Sequence, residues 1–140
     1  KYQMPADRFW FTGPVPNADL AAFYRYASVY ISLSEHEGFC VPLLEAMAAD
    51  VPVLAYGSTA VPDTLGGAGM CFHPKDLELA AELLGELAYN DTLRATVIAG
   101  QRRRLADFGD ERIREALTGL LHGQLAGLSG PAAHRDGVTS

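Results

Sequence analysis

Two glutamates, Glu37 and Glu45, stand in Glu-x7-Glu spacing inside the run SEHEGFCVPLLEAMAADVPVLAY, with Gly38, Cys40 and Pro42 between them. Packing alone has no use for Glu37 in such a tight, mostly apolar loop. Gly38 lets backbone approach a ligand closely. Pro42 suits the first position of a helix, which leaves the amides near Phe39, Cys40, Val41 and Leu43 without intrahelical partners. Free amides at the positive end of a helix dipole attract anions, phosphate above all. Glu45, read as lying in the first helical turn, is placed to accept hydrogen bonds from vicinal hydroxyls, as acidic residues do for ribose. Glu37 precedes the turn and reaches a different hydroxylated group on the far side of the phosphates. The loop thus offers a partner for each part of a nucleotide-sugar. Plainer readings stand beside this one: Glu45 as a dipole partner only, Glu37 as a solvated loop residue, and His36 as an exposed loop histidine with no role. The residues by themselves leave the choice open.

The elements around the loop favour a ligand site. Four apolar runs read as strands: RFWFTG (Arg8–Gly13), SVYISLS (Ser28–Ser34), PVLAYG (Pro52–Gly57) and the shorter MCF (Met70–Phe72). Their continuous apolarity, without strict alternation, predicts strands covered on both faces, as in a parallel sheet. Helices are predicted between them. NADLAAFYRYA starts at Asn17 as N-cap and carries Leu20, Phe23, Tyr24 and Ala27 on one face. PLLEAMAA runs from Pro42 to near Asp50, and VPDTLGG is a helical turn closed by Gly66 and Gly67. This order predicts an α/β fold, a Rossmann-like doubly wound parallel sheet, with the loop at the carboxyl end of a strand where open sheets bind ligands. From Lys75 onward only helices are predicted. One carries Leu77, Ala80, Ala81, Leu84 and Leu87 at helical spacing, a second is capped by Asp91, and a third is DERIREALTGLLHGQLAGL. The expected division is one domain over residues 1–127 and a flexible tail over 128–140.

The totals narrow the class. The 140 residues are 49% apolar, enough for a core and too few for a membrane protein. No run approaches the ~20 apolar residues of a spanning helix, and the opening KYQMPADRFWF lacks the plan of a signal peptide. The two cysteines, Cys40 and Cys71, imply no disulfide framework and read as buried small hydrophobes, so a reducing, cytoplasmic setting is expected. A formal charge of −6 argues against general nucleic-acid binding. No Cys/His set has metal-ligand spacing. The GGAG at Gly66–Gly69 lacks the spacing of a dinucleotide fingerprint and reads as a turn. Phe9, Trp10, Phe11, Phe23, Tyr24 and Tyr26 read as core and helix packing. The Arg102–Arg104 run reads as a solvated helix face, salt-bridged to Asp107 or Glu111; contact with an anionic acceptor or a membrane surface is the sharper alternative.

The run SLSEHEGFCVPLLEAMAADVPVLAY resembles the signature of family 4 retaining glycosyltransferases of GT-B fold, with their Glu-x7-Glu motif at Glu37 and Glu45. FTGPVPNADLAAFYRYASVYISLS before it and STAVPDTLGGAGMCFHP after it are similar to the same family in order and spacing. The resemblance implies that Glu37 contacts the donor sugar and is the catalytic-site carboxylate, while Glu45 contacts the ribose. It implies that the backbone of Gly38, Phe39, Cys40, Val41, Pro42 and Leu43 holds sugar and diphosphate, with Val15 against the base. It also implies a nucleoside diphosphate hexose donor, no metal and no other cofactor. Where the family commonly has a second Gly this chain has Cys40, whose Cβ is expected to narrow the pocket. Asp63 stands where the family usually has Glu.

The resemblance covers only the later part of the family's second domain. The opening strand, its Gly-rich turn and the basic residues that neutralise the diphosphate have no counterpart, and neither Arg8 nor Lys75 is assignable to that role. In the doubly wound order, Arg8–Gly13 and Val29–Ser34 are not neighbours, so the sheet is expected to be incomplete, with unpaired strand edges. The chain is therefore expected to be a fragment that lacks an N-terminal acceptor domain and has no transferase activity of its own. Re-pairing, homo-oligomerisation or a companion segment would stabilise it, and the whole protein would associate peripherally with membranes. A non-catalytic interaction fragment and a sugar-nucleotide epimerase of the same fold are the alternatives.

Overall fold

Apolar runs become strands here only where a neighbouring run exists to pair with. β1 (Tyr30–Ser32), β2 (Val53–Tyr56) and β3 (Met70–Phe72) form one sheet in the order β1-β2-β3. Both pairings are parallel, with Tyr30 opposite Val53 and Leu54 opposite Met70. The computed structural model describes residues 6–109. Parallel neighbours need crossovers, and α2 (Val41–Ala48) and α3 (Val61–Leu65) supply them. α1 (Asn17–Tyr26) precedes the sheet; α4 (Leu77–Tyr89) and α5 (Asp91–Asp107) follow it.

The central strand explains the continuous apolar pattern. Val53 and Ala55 pack into a cluster with Leu43, Leu44 and Met47 of α2 and Val61 and Leu65 of α3. Leu54, between them, joins Phe72, Ala80 and Leu87 in a second cluster. Successive side chains of a strand alternate between faces, so helices lie on both faces of β2. α5 serves both layers: Leu105 and Phe108 pack against the first cluster, Leu93 and Val97 against the second.

Several expectations are corrected. Arg8–Gly13 is not a strand: Ala6–Arg8 is a short 3-10 turn, and irregular backbone follows. Strand structure needs a hydrogen-bonded partner, and among the described residues none lies beside this segment. Phe9, Trp10, Phe11 and Tyr26 are consequently exposed, Trp10 at 94%, and Phe23 is half exposed. Leu77 is exposed too, because the buried face of α4 is set by Ala80 and Leu87. Cys71 points outward, although Cys40 is buried as expected. Asn17 is the first helical residue of α1; Pro16 is its N-cap, with no side-chain cap. Asn90, not Asp91, caps α5, accepting from the Leu93 amide at 3.0 Å. The predicted third helix, the 128–140 tail and Glu111 lie outside the described residues.

Candidate functional site

The loop from Leu33 to Cys40 leaves the carboxyl end of β1, and the segments that follow β2 and β3 leave the same edge of the sheet. Those segments hold the loop by its carbonyls. Lys75 Nζ donates to Leu33 O at 2.9 Å, Ser58 Oγ to Ser34 O at 3.0 Å, Thr59 Oγ1 to Glu37 O at 3.0 Å and Thr64 Oγ1 to Phe39 O at 2.8 Å. Thr59 Oγ1 also accepts from the Glu37 amide at 3.0 Å. Four carbonyls of the loop are thus held by groups from the two later segments. Among the described residues, no hydrogen bond occupies the amides of Gly38, Phe39, Cys40 or Val41. Gly38, Phe39 and Val41 are exposed, and the amides stand at the positive end of the α2 dipole. Such an arrangement can bind an anion without any cationic side chain.

Two details depart from the sequence reading. α2 begins at Val41, with Pro42 second, so Glu45 lies in the second turn instead of the first. The Leu43 amide is not free; it donates to Cys40 O at 3.0 Å. Cys40 makes that contact possible by adopting φ 55° and ψ 60°, the left-handed conformation. Its side chain is 5% exposed and packs with Tyr24, Leu43 and Met47. The Cys40 side chain is therefore enclosed within the core cluster, beside the Glu37 carboxylate. Burial pushes the Cys40 thiol above its ordinary range, and the Glu37 carboxylate pushes it further, while the Leu43 amide acts the other way.

Glu37 and Glu45 are both half-buried and flank the free amides. Glu45 Oε2 accepts from the Tyr24 hydroxyl at 3.0 Å. Tyr24 lies on α1, is 6% exposed and has its ring 6.0 Å from that of Tyr30. Burial pushes the Tyr24 hydroxyl far above its ordinary range and Glu45 adds to this; burial takes Tyr30 up to about 12. Val15 lines an open apolar groove of about 610 Å³ on α1 with Phe23 and Tyr26; none of Gly38–Glu45 lines that groove.

The sequence reading missed Tyr24, Ser58, Thr59, Thr64 and Lys75 as parts of the site. Ser58 and Thr59 were within reach, since a polar pair between a strand and a Pro-started helix belongs to the same carboxyl edge. Lys75 sits at this edge but spends its charge on Glu35, at 2.7 Å, and lies over the Tyr56 ring. Among the described residues no three His, Cys, Asp or Glu side chains gather as metal ligands, and no helix is long and apolar enough to cross a membrane.

Residues 3–104 match the family described as glycosyl transferases group 1. The O-antigen chain mannosyltransferase B of Escherichia coli is 37% identical over 55% of this chain and 20% of its own length. The MMP alpha-(1->4)-mannosyltransferase of Mycolicibacterium hassiacum is 34% identical over 71% of this chain and 23% of its own. The D-inositol 3-phosphate glycosyltransferase of Salinispora arenicola is 34% identical over 89% of this chain and 28% of its own. The matched region thus spans between 20% and 28% of these relatives. No solved structure matches the chain significantly.

Proposed function

Since the chain belongs to the glycosyl transferases group 1 family, we propose that it is the donor-binding part of a retaining glycosyltransferase that moves a hexose from a nucleoside diphosphate to an acceptor. The observation that carries this reading is the division of labour in the 33–41 backbone: the carbonyls of Leu33, Ser34, Glu37 and Phe39 are tied down by Lys75, Ser58, Thr59 and Thr64, while the amides of Gly38–Val41 are left to donate. In this proposal the amides and the α2 dipole stabilise the negative charge that grows on the departing diphosphate. The diphosphate leaves from the face on which the acceptor arrives, so no side chain serves as a covalent nucleophile. Glu37 orients the sugar hydroxyls, Glu45 takes the ribose and Val15 lies toward the base. Charge stabilisation by amides asks for no metal ion, so transfer should persist in the presence of a chelator.

The mannosyltransferase names of two relatives make a nucleotide-activated mannose the first donor to try. Titration with UDP, GDP, UDP-glucose and GDP-mannose, followed by amide chemical shifts, tests the reading. Shifts concentrated on Gly38–Glu45 with one nucleotide are expected and would identify the base. In the full-length enzyme, Glu37→Ala should lower transfer by a factor on the order of 100; undiminished transfer would remove Glu37 from the site. This chain on its own is proposed to bind without transferring, because the acceptor half is supplied by the remainder of the enzyme.

A further inference from the structure

We propose that Tyr24 is a positioning residue that presets Glu45 for the paired hydroxyls of a ribonucleotide, making the site selective for ribose over its deoxy forms. The inference rests on the reading of Glu45 as the ribose partner and adds a residue from a different helix.

Tyr24 is anchored in the core by its ring, against Tyr30, and only its hydroxyl reaches the edge of α2. There it donates to Glu45 Oε2 at 3.0 Å and lies 3.4 Å from Pro42 O; the shorter contact, to a charged acceptor, is the stronger. The phenol is held well above its ordinary range, so at physiological pH it keeps its proton and donates. An ionised carboxylate has about four lone-pair sites on its two oxygens. Tyr24 takes one of them on Oε2, which leaves Oε1 and the remaining side of Oε2 for two adjacent hydroxyls. A half-buried Glu that lacked this donor would sample several rotamers, and the ligand would have to order it at an entropic cost. Tyr24 removes that cost beforehand. It does so from α1, the helix whose N-terminal approach carries Val15.

The test is calorimetric titration of the full-length enzyme and its Tyr24→Phe and Glu45→Gln variants with UDP and GDP, and with the 2′,3′-dideoxynucleoside diphosphates. The Phe variant keeps the ring in the core and deletes only the hydroxyl. It should bind the ribonucleotide about tenfold more weakly, as expected for loss of a hydrogen bond to a charged group. Binding of the dideoxy form should change by less than about twofold, because no ribose hydroxyl remains for Glu45 to hold. Steady-state kinetics should show a raised donor KM with little change in kcat. Equal weakening of both nucleotides would mark Tyr24 as a packing residue and overturn the proposal, and so would no weakening of either. If Glu45→Gln abolishes the preference for ribose and Tyr24→Phe leaves it intact, the donor-site reading stands and the role of Tyr24 falls. Failure of the unaltered enzyme to bind either UDP or GDP would overturn both.

Discussion

Cys40 shows how one residue sets the geometry of the loop. At φ 55° an L-residue carries a cost of roughly 1–2 kcal/mol that glycine escapes. Cys40→Gly relieves that strain but removes a buried thiol and loosens the unfolded chain, so its stability should stay within about 1 kcal/mol of the parent. A β-branched residue tolerates the left-handed region worst, and Cys40→Val should be destabilised by at least ~2 kcal/mol. Urea unfolding of the two variants checks the order; equal stability would mean that the left-handed conformation is not retained. Thr59, which brackets Glu37 by its amide and its carbonyl, is itself exposed and at φ 45°. Thr59→Ala should therefore cost little stability and still weaken donor binding roughly fivefold, the loss of about one net hydrogen bond. The glutamates were legible as types at a spacing. Their partners were not, because Tyr24 and Thr59 meet them only through folding across 21 and 22 residues of chain.

At the scale of elements, α5 buttresses the rest of the fold. Gln101 is fully buried in it and mimics a strand neighbour: Oε1 accepts from the Val53 amide and Nε2 donates to Val51 O, both at 2.9 Å. Gln101→Leu strands both backbone groups, and at about 1–3 kcal/mol per unsatisfied group the loss should be roughly 2–6 kcal/mol by chemical denaturation. A loss below about 0.5 kcal/mol would mean that water or a rearranged neighbour meets those groups. The arginine run also proves to be inward-looking in part. Arg104 donates to Thr64 O at 3.2 Å and Asp63 O at 2.6 Å, closing the C-terminus of α3, and pairs with Asp107 at 3.1 Å, as the sequence suggested. Arg102 makes two 2.7 Å contacts with Asp50, a partner that sequence spacing could not name. Gly66 ends α3 at φ 55°, a conformation L-residues rarely adopt, and a Cβ there would meet Arg104 Nε at 2.6 Å, so that side chain would have to shift. The type and order of α2 through α5 were readable from periodicity and Pro/Gly punctuation. Gln101 was not, since a lone amide in a helix signals nothing until the backbone it satisfies is brought near.

Over the whole molecule, the outer edge of β1 has no strand beside it among the described residues, and Ile31 and Leu33 are each 39% exposed. With Trp10 and Phe11 also exposed, this chain by itself should self-associate. Sedimentation over a range of concentrations should reveal the association, and Ile31→Lys should suppress it. A monomer at all concentrations would show that the edge is covered some other way. The pH response follows from the phenols of buried Tyr24 and half-buried Tyr30. Tyr30 rises to about 12 and Tyr24 rises further, both mainly through burial. A folded value above the unfolded one, which lies near 10, gives stability that is full below about pH 10 and lost as pH climbs through the folded value. The melting temperature should decline across that alkaline window, and the part of the tyrosinate absorbance that Tyr24→Phe and Tyr30→Phe remove should rise only as the fold is lost; ionisation of those two phenols at pH 10 before unfolding would contradict the packing of α1.

The sequence by itself determined the α/β class, the crossover helices, the carboxyl-edge position of the loop and the candidate glutamates, because each depends on local periodicity, turn chemistry or side-chain type. Tertiary structure alone decided that Phe9–Phe11 stays out of the sheet, that Cys71 is exposed, and that three hydroxyls and one ammonium hold the carbonyls of Leu33, Ser34, Glu37 and Phe39 while the amides of Gly38–Val41 stay free. The physical reason is that a strand, a buried polar partner and a preset carboxylate are all pairwise properties. Each is defined by a second group, and only the fold brings that group within reach.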